Sequence, residues 1–382
     1  MKKHLIPLFA LASMSLLASC GNTSTEYDLA THVADGEIGY VVLVGEDGNP
    51  EAEDRTKGCI AAMDAVAAKY GLKAKMLEKT TSKDGSGASW SDTQAKVLME
   101  TWVTKHGDKI DFVVSNNDGM AIAASSVQTL QKKTPIVGFD ALKTACNMIV
   151  EGTLAGSVSQ NGTDQAYATA LVLGNLIAGK TDITEGYNGN AELNKDGVAN
   201  HIVQTKLAAV TAANANQYAP GSYVTPTATG LLSGKKVLYC LYDAKDNFIG
   251  ETYAKDLPHY VTALGGSYKE LKGENDNSKM LESVKNANQS DSFDAYAFNI
   301  PEHSTWQEYL KIAGFEFDGT GACTKKGKPT VFFNRQPKTG SDVANLAAAN
   351  LDNVYFVGTG STGQGEVQGK VITDWFDANM KK

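Results

Sequence analysis

The sequence predicts an α/β protein of two lobes, each built on a parallel sheet. Three observations support this prediction. The segment Lys109–Leu142 has the pattern of a strand, a helix and a second strand. The same alternation recurs along most of the chain, stops at Ala212–Lys236, and then restarts. A length of 382 residues is also typical of two domains.

Polar residues follow both strands of the segment Lys109–Leu142. The strands are Ile110–Val114 and Pro135–Phe139, and the apolar spacing of Met120–Lys132 predicts a helix between them. Because such crossovers are parallel and right-handed, both strands end at the same edge of a sheet. Asn117 and Asp140 therefore reach the edge at which α/β proteins bind ligands. Amides and carboxylates without a nucleophile indicate recognition of hydroxyl groups.

The other elements are predicted from apolar runs of strand length and from helical spacing, bounded by Gly, Pro, Ser and Asp. Before the interruption they are the strands Gly39–Val44, Lys73–Leu77 and Leu154–Val158, and the helices Glu51–Lys69, Thr93–Lys105 and Gln165–Ile177. His201–Thr211 is expected to be one strand and a turn. After the interruption they are the strands Val237–Tyr242, Asp294–Asn299, Pro329–Asn334 and Val354–Val357, and the helices Ile249–Leu264, Trp306–Ala313 and Gln364–Asn379. Ala212–Lys236 itself is small, polar and without periodicity, which is typical of a linker.

Charge and motifs exclude several classes of function. A net charge of −8 and a pI near 5.4 argue against nucleic acid and an anionic membrane surface as direct partners. Gly174–Thr181 matches a phosphate loop, but its centre is the end of an apolar helix, where a glycine is an ordinary C-terminal cap. Gly358–Gly363 matches GxGxxG but lacks the strand that would complete a dinucleotide unit, so a hinge or turn is favoured. We found no pattern of catalytic residues and predict that the protein is not an enzyme.

The first twenty residues have the pattern of a bacterial lipoprotein signal. Lys2 and Lys3 precede the apolar run Leu5–Leu17, and Leu-Ala-Ser-Cys ends at Cys20. We expect residues 1–20 to be a signal peptide with a lipobox, Cys20 to carry the lipid, and residues 21–36 to be a tether. The remaining cysteines lie far apart, without metal-ligand spacing, and are expected to be buried free thiols, although an exported protein could pair them.

Two aromatic residues beside polar turns suggest how a ligand could be held. Trp90 and Phe248 taken singly are typical of residues that pack on their own lobe. Together they offer two flat apolar faces near several Asp, Asn and Arg residues. A pyranose needs such a set, because its C–H faces stack on rings while its hydroxyls form charge-assisted hydrogen bonds.

Several long blocks resemble the periplasmic galactose/glucose-binding proteins of bacterial sugar ABC transporters. KIDFVVSNNDGMAIAA, PIVGFDAL and GTLAGSVSQNGTDQAYAT resemble the C-terminal half of that family, and GYVVLVGEDGNPEAEDRT and SWSDTQAK resemble its middle. VLYCLYDAKDNF, DAYAFNIP, TVFFNRQP and VYFVGTGSTGQGEVQG resemble its N-terminal part but lie at the C-terminal end of this chain. The resemblance therefore implies a type I periplasmic binding protein fold whose segments are circularly permuted, with residues 212–236 as the permutation linker.

The resemblance also implies the limits of the lobes. The first lobe would comprise residues 37–159 plus about 198–212 and 361–382, and the second would comprise 162–190 plus 236–358. Three segments would form the hinge between them: Ser159–Asn161, a later strand, and Gly358–Ser361.

The family's sugar pocket, carried over residue by residue, falls on both lobes. The positions that keep the family's identity or lie beside it are Asp246, Phe248, Tyr242, Asn299, Arg55, Trp90, Asn117 and Asp140. Three positions depart from it: Asn49 replaces His, Glu51 replaces Asp, and Gln160 replaces Asn. The family's calcium loop falls on Thr31–Gly39, where only Asp35 matches well and Glu37 and Asp111 could add oxygens. We therefore expect no cofactor, and calcium to be absent or weakly bound.

The resemblance implies a lipid-anchored, monomeric, extracytoplasmic protein. It would capture a hexose, D-glucose or D-galactose, between its lobes and deliver it to an ABC permease, with Cys20 holding it at the membrane. A sensor subunit that reports sugar occupancy to a membrane receptor is the alternative. The choice between the two hexoses stays open at this point.

Overall fold

The computed structural model describes residues 33–127, 134–221, 223–340, 342–360 and 362–380, which form two α/β lobes. The predicted signal peptide, Cys20 and most of the tether lie outside these ranges. Within the described residues, no helix combines the length and apolar character that a membrane span requires.

The first lobe is built on a parallel sheet with strand order β2-β1-β3-β4. The strands are β1 (Glu37–Val44), β2 (Lys73–Thr81), β3 (Phe112–Ser115) and β4 (Ile136–Val137), and β5 (Ser157–Ser159) continues the lobe beside them through isolated bridges. The helices are α1 (Pro50–Tyr70), α2 (Asp92–His106), α3 (Asp118–Ser125) and α4 (Lys143–Val150). Because helices cover both faces of the sheet, the central strands are continuous apolar runs, as in β1.

The second lobe contains a seven-stranded sheet with order β10-β9-β11-β14-β17-β7-β6. Its strands are β6 (Leu193–Asn194), β7 (Ile202–Thr205), β9 (Lys236–Leu241), β10 (Ser267–Lys272), β11 (Ala295–Phe298), β14 (Thr330–Phe333) and β17 (Val354–Gly358). Short hairpins beside the sheet are formed by β12 (Glu316–Phe317) with β13 (Cys323–Lys325), and by β15 (Lys338–Thr339) with β16 (Asp342–Val343). The helices of this lobe are α5 (Gly162–Ile177), α7 (Asn247–Glu251), α8 (Tyr253–Ala263), α9 (Asn277–Ser290) and α10 (Trp306–Ile312).

Three chain segments join the lobes, as the sequence predicted. The first segment leads from β5 to α5 of the second lobe. The second leads from β7 to β8 (Ala208–Val210) of the first lobe. The third leads from β17 to α11 (Gln364–Asn379), also of the first lobe. Helix α11 packs along α1, where Gly365 approaches so closely that any side chain would meet the backbone of Asp54.

One predicted boundary was wrong. Residues 202–205 were assigned to the first lobe, but β7 pairs in parallel with β17 in the second sheet, with Val203 beside Val357. The predicted single strand is in fact two short strands, β7 and β8, in different sheets. The apolar pattern of a strand does not reveal its neighbour, so the sequence could not distinguish these pairings.

The segment predicted as a linker is ordered against both lobes. Helix α6 (Ala215–Tyr218) packs on α4, and Ala215 is buried. Farther along, the Tyr223 hydroxyl donates to Asp256 Oδ1 at 2.7 Å and its ring stacks on His259 with centroids 4.0 Å apart. The permutation that this segment would close stays a prediction.

The two glycine motifs form a helix end and a turn, and the cysteines are free, as the sequence analysis favoured. Gly174 lies inside α5, and Gly179 follows that helix with φ +67°, as a C-terminal glycine does. Gly363 has φ +81° at the start of α11, within the third crossing segment. Cys59, Cys146, Cys240 and Cys323 are buried free thiols, as predicted.

Candidate functional site

A cleft lies between the lobes, with about 450 Å³ of empty space when the part open to solvent is included. Ten of the eleven predicted site residues line it: Asn49, Glu51, Arg55, Trp90, Asn117, Asp140, Gln160, Tyr242, Asp246 and Phe248. They lie on loops and helix starts after the carboxyl ends of strands in both lobes. The structure therefore brings together, from opposite lobes, residues up to 199 positions apart in the sequence.

Two asparagines are fixed at the cavity by capping helices. Asn49 Oδ1 accepts the backbone N–H groups of Glu51 and Ala52 at 3.0 and 3.1 Å at the start of α1. Asn117 Oδ1 accepts the N–H of Met120 at 2.9 Å at the start of α3. Since each oxygen is occupied, the amide groups have fixed orientations at the cavity wall.

Arg55 is the buried cation of the first lobe. Its Nε donates to Gln364 Oε1 at 2.6 Å, and its Nη1 donates to the Asn116 carbonyl at 2.7 Å. The guanidinium lies 3.6 Å from the ring centroid of Phe139 and 4.0 Å from Asp140 Oδ1. These contacts hold the planar group rigidly while it balances the charge of nearby carboxylates.

Asp140 connects the cavity to the hinge. Burial raises the pKa of its carboxyl well above the usual range, although Arg55 opposes that shift. Its Oδ1 accepts Gln160 Nε2 at 2.6 Å. Gln160 in turn accepts Thr205 Oγ1 on its carbonyl at 3.0 Å and Thr359 Oγ1 on Oε1 at 3.2 Å. Gln160 therefore joins all three crossing segments to a carboxylate at the cavity.

The two predicted aromatic residues both line the cavity, Trp90 from the first lobe and Phe248 from the second. Trp90 has a left-handed backbone with φ +60°, and its ring packs on Gly45, where a Cβ would lie 2.1 Å from ring carbons. Such strain is typical of residues fixed for function. Phe248 is buried in α7 and packs edge-on against Tyr253 with centroids 6.0 Å apart.

Two polar residues of the second lobe are linked to each other. Asp246 caps α7, because its Oδ1 accepts the N–H of Ile249 at 2.9 Å. Its other oxygen accepts the Tyr242 hydroxyl at 2.6 Å. Burial raises the pKa of the Tyr242 phenol well above its usual value, with the charge of Asp246 adding to the effect.

Asn299 was predicted to contact the ligand, but it lies behind the cavity wall. Its Oδ1 accepts the N–H of Tyr242 at 3.0 Å, and its Nδ2 donates to the Phe333 carbonyl and to Asn334 Oδ1 at 3.2 and 3.1 Å. These bonds turn the amide toward its own lobe. Asn299 thus orients neighbouring strand ends, and Asn334 lines the cavity instead.

Sequence reasoning missed Arg335, together with its neighbour Asn334 and Ile249. Arg335 is 5% exposed and follows the carboxyl end of β14. Its Nη1 donates to the Pro301 carbonyl at 2.7 Å, and its guanidinium lies 3.7 Å from the Tyr242 ring centroid. The sequence did contain a signal for Arg335. Ligands bind beyond the carboxyl ends of the strands in α/β sheets, and this rule, which selected Asp140, applies equally to the residues after β14.

Glu51 differs from the other charged groups of the cavity. It is 8% exposed, and neither of its carboxylate oxygens has a hydrogen-bond partner among the described residues. Leaving a buried carboxylate unsatisfied is costly, so the cavity contains two strong acceptors that need donors.

The expected calcium oxygens have other contacts. Lys75 Nζ lies 2.6 Å from Glu37 Oε2, and that contact lowers the pKa of the Glu37 carboxyl. Asp35 Oδ1 accepts the N–H of Glu37 at 3.0 Å, and Asp111 Oδ2 accepts that of Gly39 at 2.8 Å. Among the described residues, no three metal-ligating side chains are grouped for an ion.

Residues 18–181 match the periplasmic binding protein domain family. A relative is the D-galactose/methyl-galactoside binding periplasmic protein of Haemophilus influenzae, 36% identical over 154 residues, which are 40% of this chain and 43% of that protein. Another is the xylitol-binding protein of Mycolicibacterium smegmatis, 32% identical over 165 residues, 43% of this chain and 44% of the relative. Each of these matches covers less than half of the chain, and over that part the chain is similar to periplasmic binding proteins.

The fold of this protein is similar to that of periplasmic binding proteins over most of the chain. An ABC transporter solute binding protein from Agrobacterium vitis, solved with D-fucose, aligns with a TM-score of 0.50 at 13% identity, covering 91% of this chain and 92% of that one. That comparison concerns the fold alone. This chain spans less than half of the length of the curated relatives it matches. The ligands in their names are therefore properties of those relatives and not of this protein.

Proposed function

We propose that the protein is an extracytoplasmic sugar-binding component of an ABC importer and that it binds one neutral monosaccharide between its lobes. The observation that carries the proposal is Glu51, whose two buried oxygens have no partner among the described residues. Hydroxyl groups of a sugar are suitable donors for both oxygens. The aromatic walls at Trp90 and Phe248 would cover the apolar faces of its ring.

The charges of the cavity favour a neutral ligand over a sugar acid or a sugar phosphate. Arg55 and Arg335 are already bonded to protein carbonyls, and each lies against an aromatic ring. Part of the hydrogen-bonding capacity of each guanidinium is therefore already used by the protein. A ligand carboxylate would also meet the acceptors of Glu51, and such like charges repel strongly in a desolvated cavity.

A hexose is the ligand we propose within this class, either D-glucose or D-galactose. The relatives named above include a D-galactose/methyl-galactoside binding protein and a xylitol-binding protein. The resemblance described in the sequence analysis implies that most residues of the galactose/glucose pocket recur here. Isothermal calorimetry with D-glucose, D-galactose, D-ribose, xylitol and D-glucuronate tests the proposal. Tight binding of a hexose and no binding of D-glucuronate are expected, and binding of the acid alone would contradict it.

Glu51→Gln is expected to weaken hexose binding by about 1.5–3 kcal/mol, because a charged acceptor of hydroxyls becomes a neutral amide. That free energy corresponds to roughly a ten- to hundredfold higher Kd. Calorimetry of the purified variant measures it. Glu53→Gln is the matched control, since Glu53 is exposed on the same helix. Equal affinities of the two variants would exclude Glu51 as a ligand contact.

We also propose that Cys20 anchors the protein to a membrane by a lipid. The proposal rests on the charged start, the short apolar run and the Leu-Ala-Ser-Cys sequence. Cys20→Ala expressed in a bacterial host is expected to lose incorporation of labelled palmitate and to leave the membrane fraction. A substitution of Ser19 by Ala should retain both properties. Labelling that persists without Cys20 would contradict the proposal.

A further inference from the structure

Glu46 lies just outside the cavity and joins its walls. It follows β1 of the first lobe, and its side chain is 26% exposed. A single oxygen, Oε2, accepts Trp90 Nε1 at 3.1 Å, Asn49 Nδ2 at 3.1 Å and Arg335 Nη2 at 3.3 Å. The first two donors belong to the first lobe and the third comes from the second lobe.

The donor from the second lobe is held in place by that lobe. The Arg335 guanidinium donates to Pro301 and stacks on Tyr242, whose hydroxyl is bonded to Asp246. Burial alone would lower the pKa of Arg335, but its contact with Tyr242 and the carboxylates of Glu46 and Glu51 more than offset that effect. Arg335 is thus a fixed cation that faces the first lobe.

We propose that Glu46 is a positioning residue that couples ligand binding to closure of the lobes. Within the first lobe it fixes the Trp90 ring and the Asn49 amide at the cavity wall. On closure its carboxylate meets Arg335, which is already oriented by its own lobe. Because both partners are preorganised, forming the contact costs little side-chain entropy. This inference rests on the proposed sugar-binding function.

Two other polar contacts between the lobes, both among the described residues, do not have this arrangement. Asn247 Nδ2 donates to Asp92 Oδ2 at 2.6 Å, and the Lys143 N–H donates to Glu251 Oε2 at 3.1 Å. None of these four residues lines the cavity. Glu46 differs because the oxygen that contacts the opposite lobe also orients two cavity residues.

The test is a double-mutant cycle of Glu46→Gln and Arg335→Met, measured by hexose calorimetry and stopped-flow kinetics. Each single substitution is expected to raise the Kd about tenfold, mainly through faster dissociation, because a partly buried charge pair between the lobes is lost. The double variant should also bind about tenfold more weakly, whereas independent effects would multiply to about a hundredfold. Asp47→Asn is the control, because Asp47 is exposed and contacts Thr81 away from the cavity.

Urea unfolding of the ligand-free proteins separates positioning from a structural role. The inference is supported if the two substitutions have additive effects on the free energy of unfolding while their effects on the Kd are coupled. The inference would be overturned if the two effects on the Kd multiplied in the double variant. It would also be overturned if the two substitutions were coupled to the same extent in unfolding without ligand. Either result would leave the proposed function intact. A wild-type protein that binds no neutral hexose would overturn both.

Discussion

Arg55→Met is expected to abolish tight sugar binding and to lower the stability of the protein. The substitution keeps an apolar stem on Phe139 but removes the hydrogen bonds to Gln364 and to the Asn116 carbonyl. It also leaves the buried Asp140 without its nearby cation. Each buried acceptor that is left without its donor costs about 1–3 kcal/mol of stability. A loss of about 3 kcal/mol in binding corresponds to more than a hundredfold in Kd.

Calorimetry with hexose and urea unfolding at neutral pH measure the two effects of Arg55→Met. Arg55→Lys should fall between this variant and the wild type, because it keeps the charge but cannot form both hydrogen bonds in the same geometry. Lys57→Met is the control, since Lys57 is exposed on the same helix. Unchanged affinity in Arg55→Met would show that the buried cation does not support the ligand site.

Trp90→Ala is expected to weaken hexose binding by at least about 2 kcal/mol, or roughly thirtyfold in Kd. The variant removes one aromatic wall of the cavity and the indole N–H that Glu46 accepts. Trp90→Phe should lose less, because it keeps an aromatic face although it loses the indole N–H and part of the ring area. Calorimetry at several temperatures also reports the heat-capacity change, which should become less negative when less apolar surface is buried.

Tyr268→Ala provides the aromatic control for Trp90→Ala. Tyr268 is 43% exposed on β10 and does not line the cavity. Its removal should leave the Kd unchanged. If Trp90→Ala bound hexose as tightly as the Tyr268 variant does, stacking on the indole would play no part in recognition.

The sequence by itself determined most strands of the two main sheets, their parallel order within a βαβ unit, and some of the residues that reach the cavity. Those features are local: apolar periodicity defines an element, and the handedness of the crossover places the residues after each strand at one edge. Asp140 and Asn117 could be selected in this way. The resemblance to a known family added Arg55 and the polar residues of the second lobe.

The tertiary structure decided which side chains are free to meet a ligand. Asn299 and Asn334 both follow strands, but only the structure shows that Asn299 is bonded within its own lobe while Asn334 faces the cavity. The placement of β7 in the second sheet was also decided by its pairing with β17. Such choices depend on which distant groups compete for each hydrogen bond, and those groups become neighbours only when the chain is folded.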